Sequence, residues 1–521
     1  MKESKVKNII SLLKNFFQCP LTLVLLFTTI GADIAWSLPI DWHGALVIDT
    51  GLVSTYRRTK SQLVTQDQNT AAGGSQILAK PNGGSNDASY QSYIFRLSPS
   101  LIINDSVTVV AETTTGYARG GFFGDSSATS QSVDANTDLV NTAGTPLPSV
   151  NQRSLANGMY YYNTHNGAAN LSVNKLFMEI YSDTATILIG RQPFDWGLGL
   201  IFDSGEKLWS RHSSIQDGIS AKFKIGNFFI TPYWAKINST GRVDSSTDVT
   251  DFGASLLYDD VERDFAFGIL MSNRKSNSAD TTQTGTSGAL GTTNVKLFDL
   301  YLKKSWGKFS FAAEAPFLEG KLGTVYTAGV NSKYKAHALA FETGYKLDEK
   351  WKLELKFGRV TGEDGNATEF KALYLHPNYQ IANLMFRYNF PAVMLPNANI
   401  FDGHMTNTDY IRLAGTYNDD ALTITGAFIF AKADQVAKAG RMAFNHETNT
   451  QFIATQGQSD EYGYEIDVNA LYAWNSNLHL GADAGYHIVG DYYKFVNNAT
   501  PASPVAKKNS FVVVAKVGVD F

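Results

Sequence analysis

The side chains best equipped for chemistry in this 521-residue chain are charges set two residues apart: Lys222 and Lys224, Lys352 with Glu354 and Lys356, Glu465 and Asp467. A spacing of two places them on one face of an extended strand, with apolar residues on the other. Arg96, Lys175 and Arg412 extend the set with cations, and Glu112, Glu179, Glu314 and Asp483 with anions. Rows of this kind line a surface and steer ions along it. They lack the nucleophile, base and orienting group of a catalytic constellation. The nine histidines include no pair at the His-x-x-x-His spacing of a metal site. His479, Asp483 and His487 share a parity, but steps of four on a strand are about 13 Å each at ~3.3 Å per residue, too wide for one ion.

Two further groups bear on chemistry. Gly124-Asp125-Ser126-Ser127 superficially resembles the Gly-Asp-Ser start of an esterase family, whose serine sits between a strand and a helix of an α/β domain; no such domain precedes it here. Arg191, Asp195 and Trp196, at a strand end and the start of a loop, could form a constriction with a ring for stacking on a sugar; loop packing is the other reading of Trp196. The expectation is a non-enzyme with no metal and no cofactor.

The charges are carried by segments of about ten residues that alternate apolar with polar or small ones, the pattern of half-exposed strands. Tyr93, Phe95, Leu97, Leu101 and Ile103 alternate this way, turn at Asn104-Asp105-Ser106, and resume as Val107, Val109 and Ala111. Similar short turns recur near 182–183, 225–227, 259–262, 305–307, 348–349, 418–420 and 475–477. Between the hairpins run long connections rich in Gly, Ser, Thr and Asn, roughly 58–89, 119–167, 192–214, 239–250, 274–293, 318–331, 361–405, 434–459 and 491–507. Strict alternation of long and short connections predicts eighteen antiparallel strands, with both chain ends on the short-turn side. The loop 361–405 carries Ile381, Leu384, Met385, Phe386 and Val393, too apolar for open solvent, and is expected to fold into a barrel mouth or onto a rim.

Only 18% of residues are charged, below the roughly 25% of soluble proteins. A net charge of −4 with no basic block argues against a nucleic-acid partner. Lys2, Lys5, Lys7 and Lys14 precede an apolar run from Leu21 to Ile30, and Ala35-Trp36-Ser37 offers a cleavage site, so residues 1–37 read as a secretory signal, with a retained anchor as the alternative. Its removal takes away Cys19, the single cysteine.

Parity separates Phe309, Phe311 and Ala313 from Lys308, Ser310 and Glu314, Trp351, Leu353, Leu355 and Phe357 from Lys352, Glu354 and Lys356, and Tyr462, Tyr464, Ile466 and Val468 from Glu465, Asp467 and Asn469. A closed barrel of this many strands is too wide for side chains to fill. The apolar rows must then face lipid, where a charge near the midplane costs roughly 2–4 kcal/mol, and the charged rows must face a wet lumen. The acidic strand pair at 460–489 and the basic strands at 215–225 and 351–360 would set a transverse field across that water. Trp306, Tyr345, Trp351, Tyr417, Tyr472 and Trp474 crowd strand ends, as rings at the headgroup level do.

The last strand carries Phe511, Val513, Ala515, Val517, Val519 and Phe521 on one parity, which resembles the carboxy-terminal insertion signal of bacterial outer-membrane proteins. The chain from residue 38 to 521 resembles Gram-negative outer-membrane porins, and its strand count is similar to that of the substrate-specific and alginate-export types. Gly190-Arg191-Gln192-Pro193-Phe194-Asp195-Trp196-Gly197-Leu198-Gly199 resembles a strand end of the latter, and His376-Pro377-Asn378-Tyr379 with Ile381 to Tyr388 is similar to one of their loop segments. An alginate exporter needs a strongly basic lumen; the acidic balance here departs from that. The resemblance implies a single closed antiparallel transmembrane β-barrel of about eighteen strands (16–18) in the cell outer membrane. It implies a passive diffusion channel for small hydrophilic solutes or ions, the alternative being a selective barrel for oligosaccharide or polysaccharide uptake or export. The implied partners are outer-membrane lipid and lipopolysaccharide, the barrel-assembly machinery, small hydrophilic solutes and further copies of the chain.

Overall fold

The computed structural model describes residues 39–56, 58, 87–115, 120–123, 171–238, 248–276, 292–325, 331–366, 368–388, 400–446, 450–497 and 506–521. The segment 1–37, the Gly124–Ser127 motif and Val393 lie outside these residues.

Eighteen long strands form the wall. The first six are β1 (Ile40–Ser54), β2 (Ala88–Asn104), β3 (Val107–Thr115), β4 (Leu171–Tyr181), β5 (Ala185–Pro193) and β6 (Ile215–Ile225). Next come β7 (Phe228–Asn238), β8 (Val249–Asp260), β9 (Phe265–Ser276), β10 (Thr293–Trp306), β11 (Phe309–Thr324) and β12 (Asn331–Lys346). The last six are β13 (Trp351–Val360), β14 (Thr408–Asp419), β15 (Leu422–Ala433), β16 (Glu461–Ala473), β17 (Leu478–Val489) and β18 (Ser510–Asp520). Each pairs antiparallel with its neighbours in the chain, and β1 pairs with β18 from Ala45 opposite Asp520 to Ser54 opposite Phe511. The sheet therefore closes and has no edge, as the expected architecture requires. At the seam the Gly44 N–H donates to the Phe521 carbonyl (2.8 Å) and the Phe521 N–H to the Gly44 carbonyl (3.0 Å). The row Phe511, Val513, Val517, Val519 thus ends on a residue that is itself part of the closure.

The short connections all fall at one end, and their residues explain why they turn. Asn104 Oδ1 accepts from the Ser106 N–H (2.9 Å), Asp348 Oδ1 from Lys350 and Trp351 (2.8 and 2.7 Å), and Asn475 Oδ1 from Asn477 and Leu478 (2.9 and 2.7 Å). These side chains supply acceptors that let the backbone reverse within two or three residues. Gly226 and Gly307 take the left-handed conformation (φ 60° and 57°) that two other tight turns need.

The side-chain alternation is inverted relative to a soluble protein. Leu52, Phe252, Met271, Leu353, Ile466 and Val513 point outward and are 44–53% exposed, while their sequence neighbours are turned inward. Trp306, Tyr345, Trp351, Tyr472 and Trp474 are exposed on the same outer side near the short-turn end, and the Tyr417 ring lies 5.1 Å from that of Trp351. An exterior this apolar is stable against acyl chains and costly in water.

One expected parity fails. Tyr462, expected on the outside with Tyr464, Ile466 and Val468, is buried inside the barrel. The ladder between β15 and β16 slips after Ala431 opposite Gly463, so that Lys432 faces Glu461 and Tyr462 has no opposite residue. Gly463 sits at φ 109° at this bulge. A Cβ there would collide with the Ile488 carbonyl, so only glycine makes the extra step that swings Tyr462 inward.

Candidate functional site: a lumen narrowed by two infolded loops

Two of the long connections fold back into the barrel. The first, residues 194–214, joins β5 to β6. The second joins β13 to β14, and its described residues are 361–366, 368–388 and 400–407. Both carry apolar stretches that could not stay in solvent, and both find partners in the inward-facing charges of the wall.

The first loop is gripped from two sides. Arg96, on β2, donates through Nη1 to the Gly205 carbonyl (2.8 Å) and through Nη2 to those of Lys207, Leu208 and Ser210 (3.0, 2.8 and 2.9 Å). Across the lumen Glu314, on β11, accepts from the Leu198 and Leu200 N–H groups. Gly197 turns at φ 63° against Glu314, a spot where a Cβ would collide with the carboxylate. Glu112 is held by Lys175 (3.0 Å) and accepts from Asn174 Nδ2 (2.7 Å), which also reaches Ser213 of the loop (3.1 Å). Arg211, within the loop, pairs with Asp49 on β1 (2.5 Å) and donates to Ser92 on β2 (2.7 Å).

The second loop is gripped by carboxylates. Glu465, fully buried on β16, accepts from the Leu384 N–H (2.6 Å) and the Met385 N–H (2.8 Å), and Asp467 from the Asn383 N–H (3.0 Å). Asn383 Nδ2 donates to Asn469 Oδ1 (2.9 Å) and the Ala484 carbonyl (3.0 Å). Asp483, on β17, pairs with Lys516 of the wall (2.7 Å) and Arg387 of the loop (3.7 Å). Tyr379 donates to Glu342 Oε1 (3.2 Å) and meets the Tyr410 hydroxyl (2.9 Å), and Glu342 is in turn held by Lys356 (2.8 Å). Leu375, Ile381, Met385 and Met405 are buried against Ala338, Ala340, Ala414 and Ile429 of the wall.

The loops touch each other. The His376 N–H donates to the Leu200 carbonyl (2.7 Å), Asn378 Nδ2 to Asp203 Oδ1 and the His212 carbonyl (both 2.8 Å), and His212 faces Asp402 (3.1 Å). The Arg211 guanidinium lies 3.7 Å over the Phe401 ring. The two infolded loops therefore meet inside the lumen. Burial holds the His376 imidazole down to about 4 and that of His446 down to about 3, and it lowers that of His404.

These placements correct several expectations. Glu112, Glu314, Glu465, Asp467, Asp483 and Arg96 do point inward, but they are buried under the loops and anchor them rather than lining water. Arg191 is not at a constriction: it shares the outer face with Ile189 and Ile219 and is bridged twice to Asp217 (2.7 and 2.8 Å). Trp196 is inside but buried among Phe202, Tyr233, Leu270 and Leu297, so its ring is unavailable for stacking on a solute. Asp195 accepts from the Ser204 N–H (3.2 Å), which closes a turn of the first loop. Lys222 and Lys224 keep their exposure near the short-turn end, where both ammonium groups lie over the Phe229 ring (4.7 and 5.6 Å). Lys352 and Glu354 pair with each other (2.7 Å), and Arg412 is half-buried on the inner face of β14. The sequence reading missed Asp49, Ser92, Arg211, Asn383 and Tyr379. The first two lie on the inward parity of their strands, whereas positions in loops carry no periodic signal.

Between the second loop and the wall, at the long-loop end, is a cavity of about 390 Å³. Arg58, Tyr374, Phe386, Tyr388, Tyr462 and Tyr493 are among its lining residues, with His404 and His446. Arg58 donates to His487 Nδ1 (3.2 Å) and lies 4.8 Å over the Tyr493 ring. Among the described residues no group of three or more His, Cys, Asp or Glu could hold a metal.

Fold and site together define a closed eighteen-stranded barrel with an apolar outside and a loop-filled polar inside. No protein-family model and no curated protein matches the chain. Among solved structures it is similar to OpdK from Pseudomonas aeruginosa (10% identity, TM-score 0.45, covering 92% of this chain and 99% of that one). It is also similar to OccK5 (OpdH) of the same organism (11%, 0.44, 92% and 98%) and to a loop L8 deletion mutant of OmpT, an outer membrane protein of Vibrio cholerae (8%, 0.35, 93% and 99%).

Proposed function

We propose that this protein is an outer-membrane channel through which small hydrophilic solutes or ions diffuse passively, with the two infolded loops setting the aperture. The observation that carries this reading is the inverted barrel: an edgeless sheet whose outside suits only acyl chains and whose inside is polar. In the short-turn half, Lys222 and Lys224 remain exposed on the inner wall, as water-contacting residues would. In the long-loop half the loops replace most of that water. Size exclusion follows from the loops, and ion preference from the inner charges that no loop covers.

Refolded protein in planar bilayers should give discrete, ohmic current steps. No conductance above that of the bare lipid would contradict the reading and favour a structural role. The cavity beside the second loop favours a selective variant of the same function. Its aromatic faces and hydroxyls suit a ring-bearing, hydroxylated solute such as an oligosaccharide. That variant predicts a current that falls saturably as the oligosaccharide is added; a current independent of solute would leave the general channel.

A further inference from the structure

We infer that the outer face of β9–β12 carries a docking belt for the phosphorylated headgroup of an outer-leaflet lipid. Lys275, Lys296, Lys321, Lys333 and Lys335 all lie on the outward parity of these strands, near the long-loop end, and all are exposed. Two carboxylates stand among them: Glu319, opposite Lys296 and Lys335 in the ladder, and Glu369, opposite Lys333 and itself paired with Lys371 (3.3 Å). Lys321 stands directly opposite Lys333. A like-charged cross-strand pair destabilises a sheet, and none of the five lysines has an ion pair with a described residue. An anion held between their ammonium groups removes that repulsion.

Height along the barrel says where the anion comes from. Lys335 lies ten residues from Tyr345 on β12, and Lys296 ten residues from Trp306 on β10, both aromatics belonging to the short-turn girdle. Ten residues at ~3.3 Å, tilted about 40°, rise roughly 25 Å, the height of a barrel's apolar band. The lysines therefore meet the headgroups of the leaflet on the long-loop side. Below them Phe298, Phe317 and Leu339 are exposed to acyl chains.

The opposite side of the barrel shows that this is a local feature. Ten residues from Trp42, Trp474 and Phe521 stand Leu52, Tyr464 and Phe511, all exposed and none basic. Charge complementarity selects a phosphate-bearing lipid over a zwitterionic one at the first face, and nothing selects it at the second.

The test uses the folded full chain in detergent, titrated with a doubly phosphorylated acylated glycolipid and, separately, with phosphatidylcholine, and read by native mass spectrometry. The wild type should retain the phosphorylated lipid about a hundred-fold more tightly than the K321Q/K333Q/K335Q variant, on the scale of surface lysines at an anionic leaflet. The lumenal variant K222Q/K224Q should keep wild-type retention. A wild type that holds both lipids equally, or a triple variant that binds like wild type, overturns the proposal. A second readout separates binding from folding: without lipid K321Q should raise the melting temperature, because it relieves the Lys321–Lys333 repulsion, and with the phosphorylated lipid it should lower it. The same direction in both conditions also overturns the proposal. The inference rests on the membrane reading of the barrel. Loss of that reading would appear as failure to insert into liposomes, whereas loss of the belt leaves insertion intact.

Discussion

The two infolded loops are held by different mixtures of charge: wall carboxylates take N–H groups of both, Glu314 for the first and Glu465 with Asp467 for the second, but the first is also held through its carbonyls by a wall arginine. A wall arginine, Arg96, collects four carbonyl oxygens of the first loop, whereas wall carboxylates, Glu465 and Asp467, collect three consecutive N–H groups of the second. A loop driven into a barrel must satisfy its backbone groups without water. A cation can serve only acceptors and an anion only donors, so the sign of the wall charge decides which side of the loop's backbone faces it. What looks from the sequence like a field across a pore is, over much of the wall, the fastening of its filling.

The comparison is broken most directly at Arg96. Arg96→Met leaves four carbonyls unpaired and should destabilise docking of the first loop by about 3–5 kcal/mol. Trypsin should then cut at Lys207 and Arg211, which should resist in the folded wild type; unchanged resistance would show that Glu314 and Arg211 alone suffice. Glu465→Gln is milder, because one acceptor remains while an amide N–H turns toward Met385. A cost of about 1–3 kcal/mol should speed hydrogen exchange at the 384 and 385 amides about 10- to 100-fold, with the first loop unaffected. Exchange that is unchanged would detach the second loop from the wall carboxylate.

Acid sharpens the contrast further. His376 is held down to about 4 where the second loop meets the first, while an undocked loop has a histidine near 6.5. The undocked state thus binds the extra proton, and docking is fully favoured above about pH 6.5. As pH falls toward 4 docking loses about 1.4 kcal/mol per unit. Channel noise should rise across that window and be flat from pH 7 to 8, and His376→Gln should reduce the rise, leaving the part that His404 and His446, also lowered by burial, contribute. The smallest effect belongs to the charges that no loop covers: Lys222→Gln with Lys224→Gln should shift the reversal potential toward cation preference with unchanged loop docking. Neutralising Glu465, Asp467 or Asp483 should act on loop docking first.

Much of the architecture was legible in the chain because it repeats. A period of two, an Asn, Asp or Gly at each short turn and a strict alternation of connection lengths recur often enough to give eighteen strands and to say which face is greasy. Tyr462 escaped because one glycine at a bulge resets parity, a signal no longer than a single residue. Arg191 escaped because its Gly-Arg-Gln-Pro context marks a strand end and drew attention from its parity, which is that of Ile187 and Ile189 on the outer face; only the pairing with Asp217 depends on the register with β6. The anchoring roles of Glu314 and Glu465 were out of reach for another reason: parity reports that a side chain faces inward, but only the path of a loop through space says what meets it there. The same holds for Asn383 and Arg211, whose partners lie more than eighty residues away in sequence.

Two loops, the first fastened by a wall arginine and a wall carboxylate and the second by wall carboxylates, narrow a wide barrel. Single-channel conductance of the R96M/E465Q variant against wild type tests this most directly. Release of both loops should raise the conductance several-fold while heat-modifiable migration shows the barrel still closed; equal conductance from an intact barrel would contradict the account.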